Sequence, residues 1–596
     1  MDSSLHAARL AALRAELAAR GLAGFVVPHA DEFQNEYLPA HAERLAWLTG
    51  FGGSAGTAVV LAARAALFVD GRYTLQVREQ ADGTLYEFRH LIEQPVSGWL
   101  GEALQPGDRL GYDPWLHTPS QVTLLRGACE RAGAELVAVD GNPLDAVWSD
   151  QPPPPAAAIV PHDSCYAGRA SADKRADIAA ALADGAASVV LTQPDSIAWL
   201  LNIRGADVAH TPLPLSVAIL HADATVDWCV DPAKRTGGLT AHLGNAVRVH
   251  PMTAFGDVLD ALGAAGAPVQ VAPDSAPSWV VDRLTAAGAP LVRAADPVTL
   301  PKARKNAVEI AGSRAAHARD AVALARFLAW IDAETAARPV GEIEAADRLA
   351  ALRAEGEHFR DLSFDTISGS GPHGAIVHYR VTPQSDRKLQ AGELYLVDSG
   401  AQYLDGTTDV TRTVAIGTPT DGMRDRFTRV LKGHIALAMA RFPAGTTGAQ
   451  LDTLARQFLW QAGLDFDHGT GHGVGSYLGV HEGPQRISKA GTAAALEPGM
   501  IVSNEPGYYR TGEYGIRIEN LVVVTPAIAP DGAEKELLEF ETLTLAPIDR
   551  RLIEPALLTA AERDWLDAYH ARVLDIVGPR LDGAARAWLE QATARL

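Results

Sequence analysis

Cysteine is scarce in this chain: three among 596 residues, Cys129, Cys165 and Cys229, widely spaced and odd in number. Neither a disulfide framework nor a thiolate metal site can be built from them, and a reducing compartment is expected. An excess of basic charge is missing too. Lysine and arginine total 52 against 72 aspartates and glutamates, and the formal charge of -20 is spread along the chain instead of gathered in tails. Such a surface would repel a phosphate backbone, so no nucleic-acid partner is expected. No apolar run approaches the roughly 20 residues of a membrane span, so no membrane partner is expected either. The first residues, MDSSLHAARLAALRAELAARGL, carry Arg or Glu every few positions on a helical period. They lack the uninterrupted apolar core of a secretory signal, and a cytoplasmic location is expected. What is present is an ordinary globular composition, 47% apolar and 21% charged, on a chain long enough for several domains.

Punctuation divides the chain into three parts. An amphipathic helix leads into GFVVP, RLAWLTGFGGSAGTAVVL and AALFVDGRY, the alternation of helices and short apolar strands of an α/β domain. Four consecutive prolines in DQPPPPAAAIVP can continue neither helix nor strand, which sets a first boundary near residue 155. The next segment echoes the first: Trp47 is answered by Trp199 and Asp70 by Asp231, at offsets of 152 and 161 residues. Two related α/β domains, 1–155 and 156–303, follow from that weak repeat. Lys302, Arg304 and Lys305 then precede a long helical pattern running to about Ala337, which opens one large domain, 304–596. Two glycine-rich stretches are decoys. GSGPHG (369–374) matches a dinucleotide fingerprint, but AIVHYR after it reads as turn then strand where a helix would be needed. GFGGSA (50–55) fails likewise, because Thr57 to Leu61 looks extended.

The last domain carries an unusual set of polar residues. Leu394 to Val397 deliver Asp398 at the end of an apolar strand, and Asp409 opens a second strand-like run, Val410 to Ile416. A buried carboxylate protonates, finds a cation or stays in water. In DFDHGTGHGVGSYLGVHEGP three histidines, His468, His472 and His481, sit among glycines; the Glu of a zincin H-E-x-x-H is absent, so a loop is expected. Glu505 ends another strand before Pro506 and Gly507, and Arg517 and Glu519 fall on one face of a further strand, with Ile516 and Ile518 on the other. Four carboxylates and one imidazole would repel strongly without compensating cations. Two divalent ions meet that need, Mn²⁺ first, with Zn²⁺, Co²⁺ or Mg²⁺ less firmly excluded, since no thiolate is offered.

YLVDSGAQYLDGTTDVTRT, HGTGHGVG, VHEGP, SNEPGYY and GIRIEN, in this order, resemble the pita-bread metallopeptidases of family M24. The whole chain is similar to the long, three-domain form of the Xaa-Pro aminopeptidases within that family. The resemblance implies two creatinase-like α/β domains before a pita-bread catalytic domain with a C-terminal extension, an α/β (α+β) class overall. It implies two metal ions per chain, Asp398 on one, His472 and Glu505 on the other, Asp409 and Glu519 bridging both. It further implies attack by a bridging hydroxide on the Xaa-Pro bond, with Glu505 moving the proton. His378 and His481 would position substrate and stabilise the tetrahedral intermediate, His468 would line the pocket, and Arg517 would anchor ligand carboxylates. Peptides with proline in second position are the implied substrates, and a homodimer through the last domain the implied assembly. Rival expectations are a prolidase cleaving Xaa-Pro dipeptides, a metal-free creatinase-like relative, and a non-catalytic peptide-binding module.

Overall fold

The computed structural model describes residues 3–596, which form two compact units. The first comprises the residues up to Ser164 together with Arg169–Val298. It holds two six-stranded sheets. In the first, β1 (Gly24–Pro28) pairs antiparallel with β2 (Thr57–Leu61) and parallel with β5 (Arg109–Tyr112). Beyond them lie β3 (Ala65–Val69), β4 (Glu87–His90) and β6 (Glu135–Ala138), in the order β4-β3-β2-β1-β5-β6. Its inner strands β1, β2 and β3 are buried apolar runs such as AALFV, as a sheet covered on both faces requires, whereas the edge strands β4 and β6 are only partly buried.

The second sheet repeats the first strand for strand. Its members are β7 (Ser188–Leu191), β8 (Val217–His221), β9 (Val226–Cys229), β10 (Val247–His250), β11 (Val269–Val271) and β12 (Leu291–Arg293). They stand in the order β10-β9-β8-β7-β11-β12, with the same alternation of parallel and antiparallel neighbours. Trp47 and Trp199 occupy equivalent helices, Arg44–Thr49 and Pro194–Leu201, and Asp70 and Asp231 each follow the third strand of their sheet. The sequence echo is therefore a repeat of topology. Residues 151–159, including the four prolines, have no regular structure.

The second unit, Cys165–Gly168 with Thr299–Leu596, carries the polar set. A 31-residue helix, Ala307–Ala337, starts from a capping box in which Asn306 and Glu309 satisfy each other's backbone N–H groups. A three-stranded antiparallel sheet, β13 (Ile367–Ser370), β14 (Leu394–Ser399) and β15 (Val410–Ala415), has β14 in its centre. A six-stranded antiparallel sheet contains β16 (Arg441–Pro443), β17 (Gly471–Gly473), β18 (Glu482–Ile487), β19 (Ile501–Asn504), β22 (Asn520–Pro526) and β23 (Leu537–Thr542). A hairpin, β20 (Gly507–Arg510) with β21 (Tyr514–Arg517), lies between β19 and β22 in the chain. Helices Asp421–Ala438 and Ala560–Val577 supply Phe427, Val430, Leu431, Leu566 and Val573 to a core shared with Leu394, Ile516 and Ile518. No helix among the described residues is long and apolar enough to cross a membrane.

Three local expectations fail: His472 lies not in a loop but in the short strand β17, paired with β18 and β19. AIVHYR is not a strand: a 3₁₀ turn, Gly371–Ala375, is followed by turn bonds from Ile376 N to His373 O and Tyr379 N to Ile376 O. Buried Glu342 stabilises that folded-back path, accepting from Ser370 N, Tyr379 OH and Arg387 N. Arg517 and Glu519 do not share one strand either. Ile518 and Glu519 fall in a gap where the backbone leaves the hairpin for the six-stranded sheet, Ile518 N bonding to Pro506 O and Glu519 N to Thr411 O.

Candidate metal centre

Strand ends from three sheets converge on one pocket. Asp398 is the fifth residue of β14, and its neighbours Leu396 and Val397 are held in the sheet on both edges. Its Oδ2 accepts from Arg517 Nη2 at 2.6 Å, while its Oδ1 is buried with no hydrogen-bond partner. Asp409 stands immediately before β15, with its Oδ1 buried and without a partner as well. Glu519, at the sheet change, is 1% exposed and accepts from Thr411 Oγ1 at 2.8 Å.

His472, in the middle of β17, is oriented by its backbone. Its Nδ1 lies 2.9 Å from Gly473 O and donates there, so Nε2 is the nitrogen that can offer a lone pair to a metal once its proton is released. That Nε2 is 3.4 Å from Asp409 Oδ2 and 3.5 Å from Glu505 Oε1. Glu505 follows β19, and Ser503 Oγ donates to its Oε1 at 3.1 Å while accepting from His472 N at 2.9 Å. Donor atoms of Asp409, His472 and Glu519 all lie within 4.8 Å of one another.

The electrostatics are set by burial and by carboxylates crowded together. Burial pushes the Asp398 carboxyl up to about 6, against the pull of Arg517 and with a further push from Asp409. Burial raises Glu505, and it lifts Glu519 well above the carboxylate range, with Asp409, Asp398 and Glu505 adding repulsion. Burial alone would lower His472, but the Asp409 and Glu505 carboxylates outweigh it and bring the imidazole up to about 9. Two orphaned aspartate oxygens, four crowded carboxylates and one imidazole lone pair fit a pair of hard or borderline divalent cations.

Other predicted residues ring this set. The His481 ring stands edge-on to His472 with centroids 4.3 Å apart. His468 Nδ1 donates to Gly469 O at 2.7 Å, leaving Nε2 to accept from Tyr509 OH, also at 2.7 Å. Tyr509 OH in turn accepts from Arg517 Nη1 at 2.6 Å, so His468, Tyr509, Arg517 and Asp398 form one hydrogen-bonded chain. His378 sits in the turn beside Val377, whose carbonyl accepts from Arg517 Nη1 at 3.3 Å. Sequence reasoning missed Tyr509 and Thr411. Tyr509 lies in the motif SNEPGYY, where one of two adjacent tyrosines on a strand must face inward; Thr411 gives no signal, being one threonine among several.

The chain is 40% identical to Aminopeptidase P2 of Arabidopsis thaliana over 97% of its own length and 86% of that protein's. Residues 311–526 match Metallopeptidase family M24. The chain belongs to this family. Its remaining M24 features are in place: residues 536–596 match the C-terminal region of peptidase M24, and residues 9–147 and 150–309 each match the Creatinase/Prolidase N-terminal domain. The crystal structure of X-prolyl aminopeptidase from Caenorhabditis elegans, described as a cytosolic enzyme with a di-nuclear active site, superposes with a TM-score of 0.94 at 35% identity. That likeness covers 99% of this chain and 100% of the other. Dipeptidase PepE from Mycobacterium ulcerans, at 29% identity and a TM-score of 0.51, covers 65% of this M24 chain.

Proposed function

We propose that this chain is a metal-dependent aminopeptidase that removes the N-terminal residue from peptides with proline in second position. The observation that carries this reading is the end-to-end likeness to an X-prolyl aminopeptidase, both N-terminal lobes included, whereas the likeness to a dipeptidase stops at 65% of the chain. Curated relatives matched over 98% of this chain carry the name Probable Xaa-Pro aminopeptidase P, which favours the aminopeptidase over a prolidase. The intact donor set argues against a metal-free relative or a binding module.

Asp398, Asp409, His472, Glu505 and Glu519 would hold two divalent ions, Mn²⁺ in our reading. When bound, the ions supply Lewis acidity at the scissile carbonyl and acidify the attacking water. Arg517 holds Asp398 in place and supplies a fixed positive charge beside the donor carboxylates. Glu505, raised by burial, takes a proton at its carboxylate and passes it to the departing proline nitrogen. His481 and His378 donate to oxygen as charge develops on it, and His468, fixed by Tyr509, lines the pocket. The three-domain division 1–155, 156–303 and 304–596, a cytoplasmic location and a homodimer through the last domain complete the proposal; a monomer in sedimentation at working concentration would remove the dimer.

The test is hydrolysis of Arg-Pro-Pro beside Ala-Pro by metal-stripped protein, with and without Mn²⁺. Metal-dependent release of Arg with little dipeptide cleavage is the expected result. Preferential cleavage of Ala-Pro would replace the reading by a prolidase, and bound metal without turnover of either by a binding module.

A further inference from the structure

Glu482, the residue after His481, is held by two lysines from the far end of the unit's sequence. Lys302 Nζ lies 2.7 Å from Glu482 Oε2, and Lys305 Nζ donates to Oε1. The three side chains are only 3%, 1% and 2% exposed, in the order Lys302, Lys305, Glu482. Burying three charges is costly, and a well-packed apolar trio of similar volume commonly serves stability as well or better. The ions therefore call for a role beyond holding the core together.

Their place in the fold supplies one. Glu482 opens β18 and pairs with Gly473, the neighbour of His472. The two backbones touch so closely that a Cβ on Gly473 would lie 2.3 Å from Glu482 O. Lys305 N also donates to Gly499 O at 3.0 Å, which fixes the lysine backbone to the turn before β19, the strand that delivers Glu505. The ionic cluster thus sits directly behind the backbone that carries both His472 and His481.

We infer that Lys302 and Lys305 are positioning residues, which fix Glu482 and through it the ring of His481 against His472. This rests on the hydrolytic reading above only for its effect on rate; the geometry is separable. A carboxylate pinned at both oxygens cannot rotate, so the preceding residue keeps one backbone direction. A loss of that restraint by about 1 Å at His481 is enough to cost one to two orders of magnitude in turnover.

The experiment compares the wild-type holoenzyme with Glu482→Gln and with the combination K302M, K305M, E482L, which removes the three paired charges and leaves buried Glu309 held by the Asn306 backbone N–H. Thermal melting, metal content, steady-state kinetics on Arg-Pro-Pro and the crystallographic separation of the two imidazole rings are read for each. Expected for the combination are a melting temperature near wild type, retained metal, a kcat lower by about tenfold to a hundredfold with KM little changed, and a displaced His481 ring. Wild-type kcat and ring separation in the folded combination would overturn the inference. So would a kcat loss explained entirely by lost metal. Should the combination fail to fold, Glu482→Gln, which keeps the shape and one acceptor, reads the same quantities. A wild type without peptidase activity would overturn the proposed function, and the ring separation alone would then decide the inference.

Discussion

Arg517 and Asp398 form a buried ion pair, Nη2 to Oδ2 at 2.6 Å, with the arginine side chain 1% exposed. The same guanidinium also serves Tyr509, Thr411 and Val377 O, a set that one lysine ammonium could not reach in that geometry. Arg517→Met is expected to weaken metal affinity by about 10–100-fold, because the ligand it orients is freed to turn. Competition with a chelator measures this; wild-type affinity would show that Asp398 needs no such support.

Glu505 is touched by Ser503 Oγ and lies beside His472, and nothing in the packing of β19 depends on its charge. Glu505→Gln should lower turnover by about 10²-fold or more while circular dichroism and melting of the metal-free protein stay unchanged. A variant that turns over at near the wild-type rate would overturn the proton-transfer role.

Metal uptake should expel protons. In the metal-free pocket His472 is pushed up to about 9, so its imidazole carries the extra proton at pH 7, and burial with the repulsion of Asp409, Asp398 and Glu505 moves Glu519 in the same direction. Bound metal requires them deprotonated, and affinity should therefore rise from pH 7 toward pH 9, about tenfold per pH unit for each proton released. Calorimetry of Mn²⁺ binding in two buffers of different ionisation enthalpy counts those protons. Equal heats in both buffers would contradict the prediction.

Stability should fall on acidification because of two buried histidines near Arg412. Burial, with the Arg412 guanidinium adding to it, lowers His434 and His570 to about 3 each. Both use a ring nitrogen as acceptor: His434 Nε2 from Asn520 Nδ2, and His570 Nε2 from Ile548 N. The unfolded chain takes up these protons below about pH 6.5, whereas the folded chain refuses them until about pH 3. Their contribution is thus complete above pH 6.5 and is lost as pH falls through that window, by about 1.4 kcal/mol per histidine per pH unit. Urea titrations at several pH values should show this slope, and His570→Gln should make it shallower.

Much of the site was legible because metal ligands combine poorly with burial: Asp398, Glu505 and His472 interrupt apolar or glycine-rich text, and that contrast is visible without coordinates. The duplicated first unit was legible for a similar reason, since Trp47 and Asp70 recur at matched points of the second copy. What escaped is non-local. Glu519 was read as part of a strand because the alternation in GIRIE runs on into the apolar LVVV, yet the backbone changes sheets there under bonds to Pro506 O and Thr411 O. The turn around His378 depends on Glu342, 36 residues earlier, and the Lys302 and Lys305 contacts to Glu482 span 180 and 177 residues. No spacing rule reaches that far.

The two residues Ile518 and Glu519 set a distance that the chain cannot change. On one side, Arg517 is tied to Asp398; on the other, Asn520 donates to His434 Nε2 at 3.1 Å. Adding or deleting a single residue between these anchors would break one of them and swing the Glu519 carboxylate out of the pocket. The exposed connection 528–536, between two strands of the same sheet, bears no such constraint and can vary in length without disturbing the chemistry. Homologous chains of differing length would accordingly place their insertions in the second segment and never in the first.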